Sequence, residues 1–274
     1  MLDFLQSLWY NKFQHSLLYS AELRKLEIYL NSNNSLAGAV IICPGGAYAR
    51  TTEREGKPVA LAINKMGLHA FVLHYDVKNP PLFTRPLEQL ACAIKHVRKN
   101  AKKYNVNPDN ITVMGFSAGG HLAASLGVYW HKPEFFKGDV NSEVYKPNAL
   151  VLCYAVLSGG KFKHERSFYN LLGDNTDVLQ NYSLETKICE KTPKTFMWHT
   201  ADDAAVAVEN TLLFAKGLSK HKVPYEMHIY PHGVHGLSLA TQETATNEEQ
   251  INPYVSTWIN RLEEFLKGDS YDKN

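Results

Sequence analysis

From about residue 25 to residue 267, short apolar runs alternate with longer stretches whose apolar residues recur every three or four positions. The run 39–43 (AVIIC) is apolar throughout and stops at Pro44-Gly45-Gly46. Buried parallel strands read this way because both faces are covered. Runs 69–75, 111–115, 149–156, 195–198 and 225–230 predict further strands, and the alternating segment 26–30 a short one. Helical spacing marks 57–66, 86–104, 118–129, 207–220 and 253–266; in the second, Leu87, Leu90, Ala91, Ile94 and Val97 form one stripe. Strands separated by helices predict βαβ crossovers and an α/β fold, a mostly parallel sheet covered on both faces. Residues 158–193 break the rhythm: they are polar, with Gly159, Gly160, Gly173 and only short apolar clusters. They read as an excursion that partly roofs a site, so the expectation is one domain over 1–274.

Gly115-Phe116-Ser117-Ala118-Gly119 matches G-x-S-x-G, a weak pattern alone. Here an apolar strand (ITVMG) enters it and a small-residue helix leaves it, which is the context of a nucleophile elbow. The helix N-terminus aims its amides at Ser117, where negative charge develops during acyl transfer. His121, four residues on, reaches Ser117 poorly and suits packing or bracing of the elbow. One oxyanion donor is expected from the Ala118 amide. Others are expected from Gly45 and Gly46 in the loop after 39–43, with Ala47 and Tyr48 beside the substrate.

A serine nucleophile needs a histidine base, and the histidine needs an acid to set its tautomer. The strand 194–200 runs into Ala201-Asp202-Asp203; Asp203 is the preferred acid and Asp202 the alternative, suited to turn contacts. After the last strand comes Pro231-His232-Gly233-Val234-His235-Gly236; His235 is the preferred base, His232 a brace at the strand end.

Composition removes other classes. The chain has 274 residues, 45% hydrophobic and 20% charged, with a formal charge of +2, so nothing points to nucleic acid or an anionic membrane. The densest basic stretch, 95–103, reads as a solvated helix face. Cys43, Cys92, Cys153 and Cys189 show no CxxC spacing, and the first, second and third sit in apolar patterns as free thiols. The N-terminus lacks the pattern of a secretion signal and no apolar run is long enough to span a bilayer, so the expected compartment is the cytoplasm. Residues 1–20 hold Phe4, Leu5, Leu8, Trp9, Tyr10 and Phe13, suited to a sheet edge, the site or a second copy in a homo-oligomer.

The stretches CPGGAY (43–48), VMGFSAGGHLAASLG (113–127), TFMWHTADD (195–203) and HGVHGL (232–237) resemble the α/β-hydrolase esterases related to hormone-sensitive lipase, nearest the acetyl-xylan-esterase-like "sugar hydrolase" branch. The resemblance spans residues 25–267 and implies an α/β-hydrolase fold with a triad of Ser117, Asp203 and His235. Pro44 and Ala47 depart from the HGGG of the lipase relatives and leave open which amides face inwards. The implied activity is a serine carboxylesterase on short, acetyl-like esters, a small-molecule substrate such as an acetylated sugar, needing no cofactor or metal. The polar excursion argues against a lipid interface, and Tyr48 and Trp130 are candidates to stack on sugar. The alternatives are a small amidase or peptidase using the same triad, and a non-catalytic hydrolase-fold binding protein.

Overall fold

The computed structural model describes residues 25–32, 35–78, 80–132 and 142–268; the aromatic-rich segment 1–20 lies outside the described residues. Among the described residues the seven strands are β1 (Leu26–Tyr29), β2 (Ala37–Cys43), β3 (His69–Leu73), β4 (Val106–Phe116), β5 (Ala149–Cys153), β6 (Lys194–Thr200) and β7 (Tyr225–Tyr230). They form one sheet in the order β1-β3-β2-β4-β5-β6-β7. β1 is antiparallel to β3, and every other pairing is parallel. Register aligns Cys43, Gly115, Leu152, Met197 and Met227 in one row. The loops that follow these strands therefore open on a single edge, where ligands of open α/β sheets bind.

Helices α1 (Lys57–Lys65), α2 (Arg85–Lys99), α3 (Ala101–Tyr104), α4 (Ala118–Tyr129), α5 (Glu165–Leu172), α6 (Glu209–Lys220) and α7 (Trp258–Lys267) cover the sheet. Neighbouring strand residues feed opposite layers. Ile41 and Val113 pack with Leu90 of α2, Leu122 of α4 and Phe214 of α6. Ile42 and Met114 pack with Ile63 of α1 and Trp258 and Leu262 of α7. Coverage of both faces is why β2 to β6 carry continuous apolar runs. Each fully buried aliphatic or aromatic side chain stabilises by about 1.5–3 kcal/mol.

Three expectations shift. The helix anticipated over 86–104 is interrupted at Asn100, whose side-chain amide donates back to the His96 carbonyl at 2.9 Å. The strand anticipated over 149–156 stops at Cys153, because Tyr154 turns to φ +37° and leaves the sheet. The basic face over 95–103 is not wholly solvated: the Arg98 guanidinium donates to the Val144 and Lys146 carbonyls at 2.7 and 2.8 Å. The excursion 158–193 is anchored, not loose. Phe168, Leu171, Leu172, Leu184 and Ile188 are buried in the α2/α4 layer. Asn210 accepts the Leu157 and Ser158 amides at 2.8 Å each. Among the described residues no helix is long and apolar enough to cross a membrane.

All twelve residues of α4 are buried, including His121. Tyr48 OH donates to His121 Nδ1 at 2.9 Å, and His121 Nε2–H donates to the Tyr182 carbonyl at 2.9 Å. This bonding suits a neutral ring, and burial lowers its pKa to about 4, against a smaller raising effect of the Tyr182 bond. As pH falls from the ordinary imidazole value, about 6.5, the unfolded chain takes up this proton before the folded one. Stability is therefore lost between about pH 6.5 and 4, by about 3 kcal/mol in total, and is unaffected by this group above that window. Urea unfolding of wild type and His121→Gln across this range checks it: the variant should show a shallower fall. Identical pH slopes would refute the assignment.

Candidate active site

β4 ends at Phe116 and α4 begins at Ala118, which leaves Ser117 to make the whole turn at φ +51°, ψ −118°. A non-glycine residue in such a conformation costs on the order of 1–3 kcal/mol and is kept only where its surroundings hold it. The Ser117 amide donates to the Cys153 carbonyl at 3.0 Å, and its carbonyl accepts from Val156 N at 3.1 Å. Glycines on either side permit the close approach. A Cβ on Gly115 would lie 2.1 Å from the Gly119 carbonyl oxygen, and one on Gly119 2.1 Å from the Cys43 carbonyl oxygen.

The three residues expected to act together meet at this edge. Ser117 Oγ lies 2.8 Å from His235 Nε2, and His235 Nδ1 lies 2.6 Å from Asp203 Oδ2. With Nδ1–H donating to the carboxylate, Nε2 is left as acceptor for the serine hydroxyl. Asp203 Oδ1 accepts the Ala205 and Val206 amides at 2.9 Å each. Burial pushes the Asp203 pKa up, but hydrogen bonding from His199 and His235, the charge interaction with His235 and the Val206 amide outweigh it, and the carboxylate sits well below its usual range. Asp202, the alternative acid, instead braces the base loop. It accepts His232 Nδ1 at 2.9 Å and the Gly233 amide at 2.8 Å. His232 is thereby the brace that its position at the strand end suggests.

The oxyanion loop partly corrects its expectation. The Gly45 amide donates to Glu55 Oε2 at 2.7 Å and is not free for a substrate oxygen. The Gly46, Ala47 and Ala118 amides have no partner among the described residues. Ala47, at φ +55°, and Gly46 line the cavity that contains Ser117 and His235. Tyr48 does not line it. At φ +57° its side chain turns into the core, 2% exposed and bonded to His121. Trp130 is likewise withdrawn: it is buried, and its Nε1–H donates to the Lys191 carbonyl at 2.9 Å. Neither ring offers a face to a sugar at this site.

Two further residues tie the site together. Glu55, 3% exposed, accepts Gly45 N and Thr52 Oγ1 on Oε2 and Tyr154 OH on Oε1, the last at 2.6 Å. Tyr154 OH in turn accepts the Ser238 amide at 2.9 Å, and its ring meets the His235 ring edge-on at a centroid distance of 5.1 Å. One carboxylate thus links the loop after β2 to the loop that carries His235. Nothing in the local sequence separates Glu55 from Glu53. The only hint at Tyr154 is an aromatic just past the end of an apolar strand.

Comparisons with known proteins agree with this architecture. The BD-FAE family model matches residues 26–218. The chain is 34% identical over 251 residues to endo-1,4-beta-xylanase B of Butyrivibrio fibrisolvens, covering 88% of this chain and 39% of that protein. It is 27% identical over 216 residues to an acetylxylan esterase of Xylanibacter ruminicola, covering 76% of this chain and 42% of that one. The chain therefore spans about two fifths of the length of both curated relatives. The crystal structure of an acetyl ester-xyloside bifunctional hydrolase from Caldicellulosiruptor lactoaceticus superimposes with a TM-score of 0.78 at 39% identity, over 90% of this chain and 88% of that one. The chain belongs to the BD-FAE family and has the α/β-hydrolase fold of its structural relative.

Proposed function

We propose that this chain hydrolyses short acyl esters, acetate above all, on a soluble alcohol such as a sugar, with Ser117 as nucleophile, His235 as base and Asp203 as its orienting acid. The observation that carries this reading is the unbroken hydrogen-bonded series from Ser117 Oγ through His235 to Asp203, at 2.8 and 2.6 Å. Ser117 Oγ attacks the ester carbonyl carbon while His235 Nε2 takes its proton. Gly46 and Ala118 amides stabilise the oxyanion, and α4 adds the positive end of its dipole. Collapse breaks the bond to the alcohol, which leaves with the proton from His235; water then repeats the sequence on the acyl-enzyme. Asp203, ionised throughout, holds the tautomer and stabilises the imidazolium.

The acetyl preference is supported by the names of the relatives and by a cavity of about 380 Å³ at Ser117, at the small end for ligand sites. Residues 158–193 act as a cap within one domain, a role supported by His164 and Arg166, which line that cavity.

With 4-nitrophenyl acetate, Ser117→Ala and Asp203→Asn should each lower kcat by about ten-thousand-fold. Wild-type turnover equal to that of Ser117→Ala would overturn the esterase reading, and faster cleavage of the matching anilide would replace it with an amidase. Glu55→Gln tests the positioning link. It should lower kcat by about ten- to a hundredfold, since misplaced groups are costly, with KM changed by less than about twofold. A rise in KM at unchanged kcat would assign Glu55 to binding instead.

A further inference from the structure

The cavity around Ser117 and His235 has a one-sided charge. Arg50, Arg54 and Arg166 line it, and the acid on its wall is Glu55, whose carboxylate is already engaged by three donors. The arginines come from two segments, Arg50 and Arg54 from the stretch after β2 and Arg166 from α5. Arg50 follows the oxyanion loop, its amide bonded to the Gly46 carbonyl; Arg166 lies in the first turn of α5, on the cap. Arg54 is half-buried and held by neutral acceptors, with Nη1 donating to the Thr244 carbonyl at 2.9 Å and to Gln250 Oε1 at 2.8 Å. Its Nη2 lies 3.2 Å from where a Cβ on Gly236, beside His235, would stand. Among the described residues none of the three has a carboxylate within ion-pair distance. His164, also on the wall, has its pKa lowered by burial first and by its neighbours His235 and Arg166 second, against a smaller raising effect of Asp203.

Converging cations in a partly enclosed cleft focus a positive potential on what enters it. The planar guanidinium fork also matches a carboxylate in two-point hydrogen bonding. A neutral sugar ester leaves those charges unanswered. We infer that the preferred substrate carries a carboxylate close to the scissile ester. This rests on the esterase reading above, and because the acyl group there is acetyl, the carboxylate belongs to the alcohol: an acetylated sugar acid or similar hydroxy acid.

The test is a minimal pair, 4-acetoxybenzoate against 4-acetoxybenzamide, each kcat/KM divided by the ester's own alkaline hydrolysis rate. At low salt the carboxylate should be favoured by about five- to tenfold, the range expected from two exposed charge contacts, and by clearly less at about 0.5 M salt. In the double variant Arg50→Gln, Arg166→Gln, both exposed positions, the ratio should fall towards one. A wild-type ratio at or below one overturns the inference, as does a ratio that the double variant leaves unchanged. Turnover of 4-nitrophenyl acetate with neither acetoxy probe accepted overturns it while the esterase reading survives. Failure on all three esters sinks that reading and this inference with it.

Discussion

The close passage of α4 over the end of β2 is the constraint on which the site depends. Ser117 leaves β4 in a left-handed conformation that a serine adopts only at a cost. It is held there by strand-end hydrogen bonds and by a helix start with no room for side chains at Gly115 or Gly119. Burial of all of α4 gives that helix no freedom to relax. The outcome is a serine fixed at the carboxyl end of β4 and at the N-terminus of α4.

Two buried carboxylates then arrange the loops around this fixed point. Removing an ionised carboxylate from water is expensive unless hydrogen-bond donors surround it. Asp203 meets that condition with the Ala205 and Val206 amides and His235. Glu55 meets it with Gly45, Thr52 and Tyr154. In each case the donors belong to segments far apart in the chain, so satisfying the charge also sets the loop geometry. The base loop is clamped again by Asp202, and Tyr154 links it through Ser238 to Glu55.

The cavity departs from a simple apolar pocket. Its walls combine the Gly46 and Ala47 backbone with arginines, Glu55 and His164. Apolar side chains of the excursion are spent on anchoring it to the core, while His164 and Arg166 line the cavity at Ser117. A polar lining of this kind suits a hydrophilic alcohol better than an acyl chain, in keeping with the short acyl group proposed for the reaction.

Local pattern alone determined a good deal. Apolar runs that stop at Gly, Pro or Asp marked the buried parallel strands, because a strand covered on both faces admits few polar positions. The same strand ends placed Ser117, Asp203 and His235 on one sheet edge, since parallel strands present their exits together. What the chain could not disclose was the partner of each group. Gly45 resembles a free oxyanion donor until Glu55, ten residues on, is folded against its amide. Tyr48 looks available to substrate until a positive φ turns it towards His121, and Arg98 looks solvated until remote carbonyls close on it. These are contacts between distant segments, set by helix packing and loop closure, and no spacing along the chain encodes them.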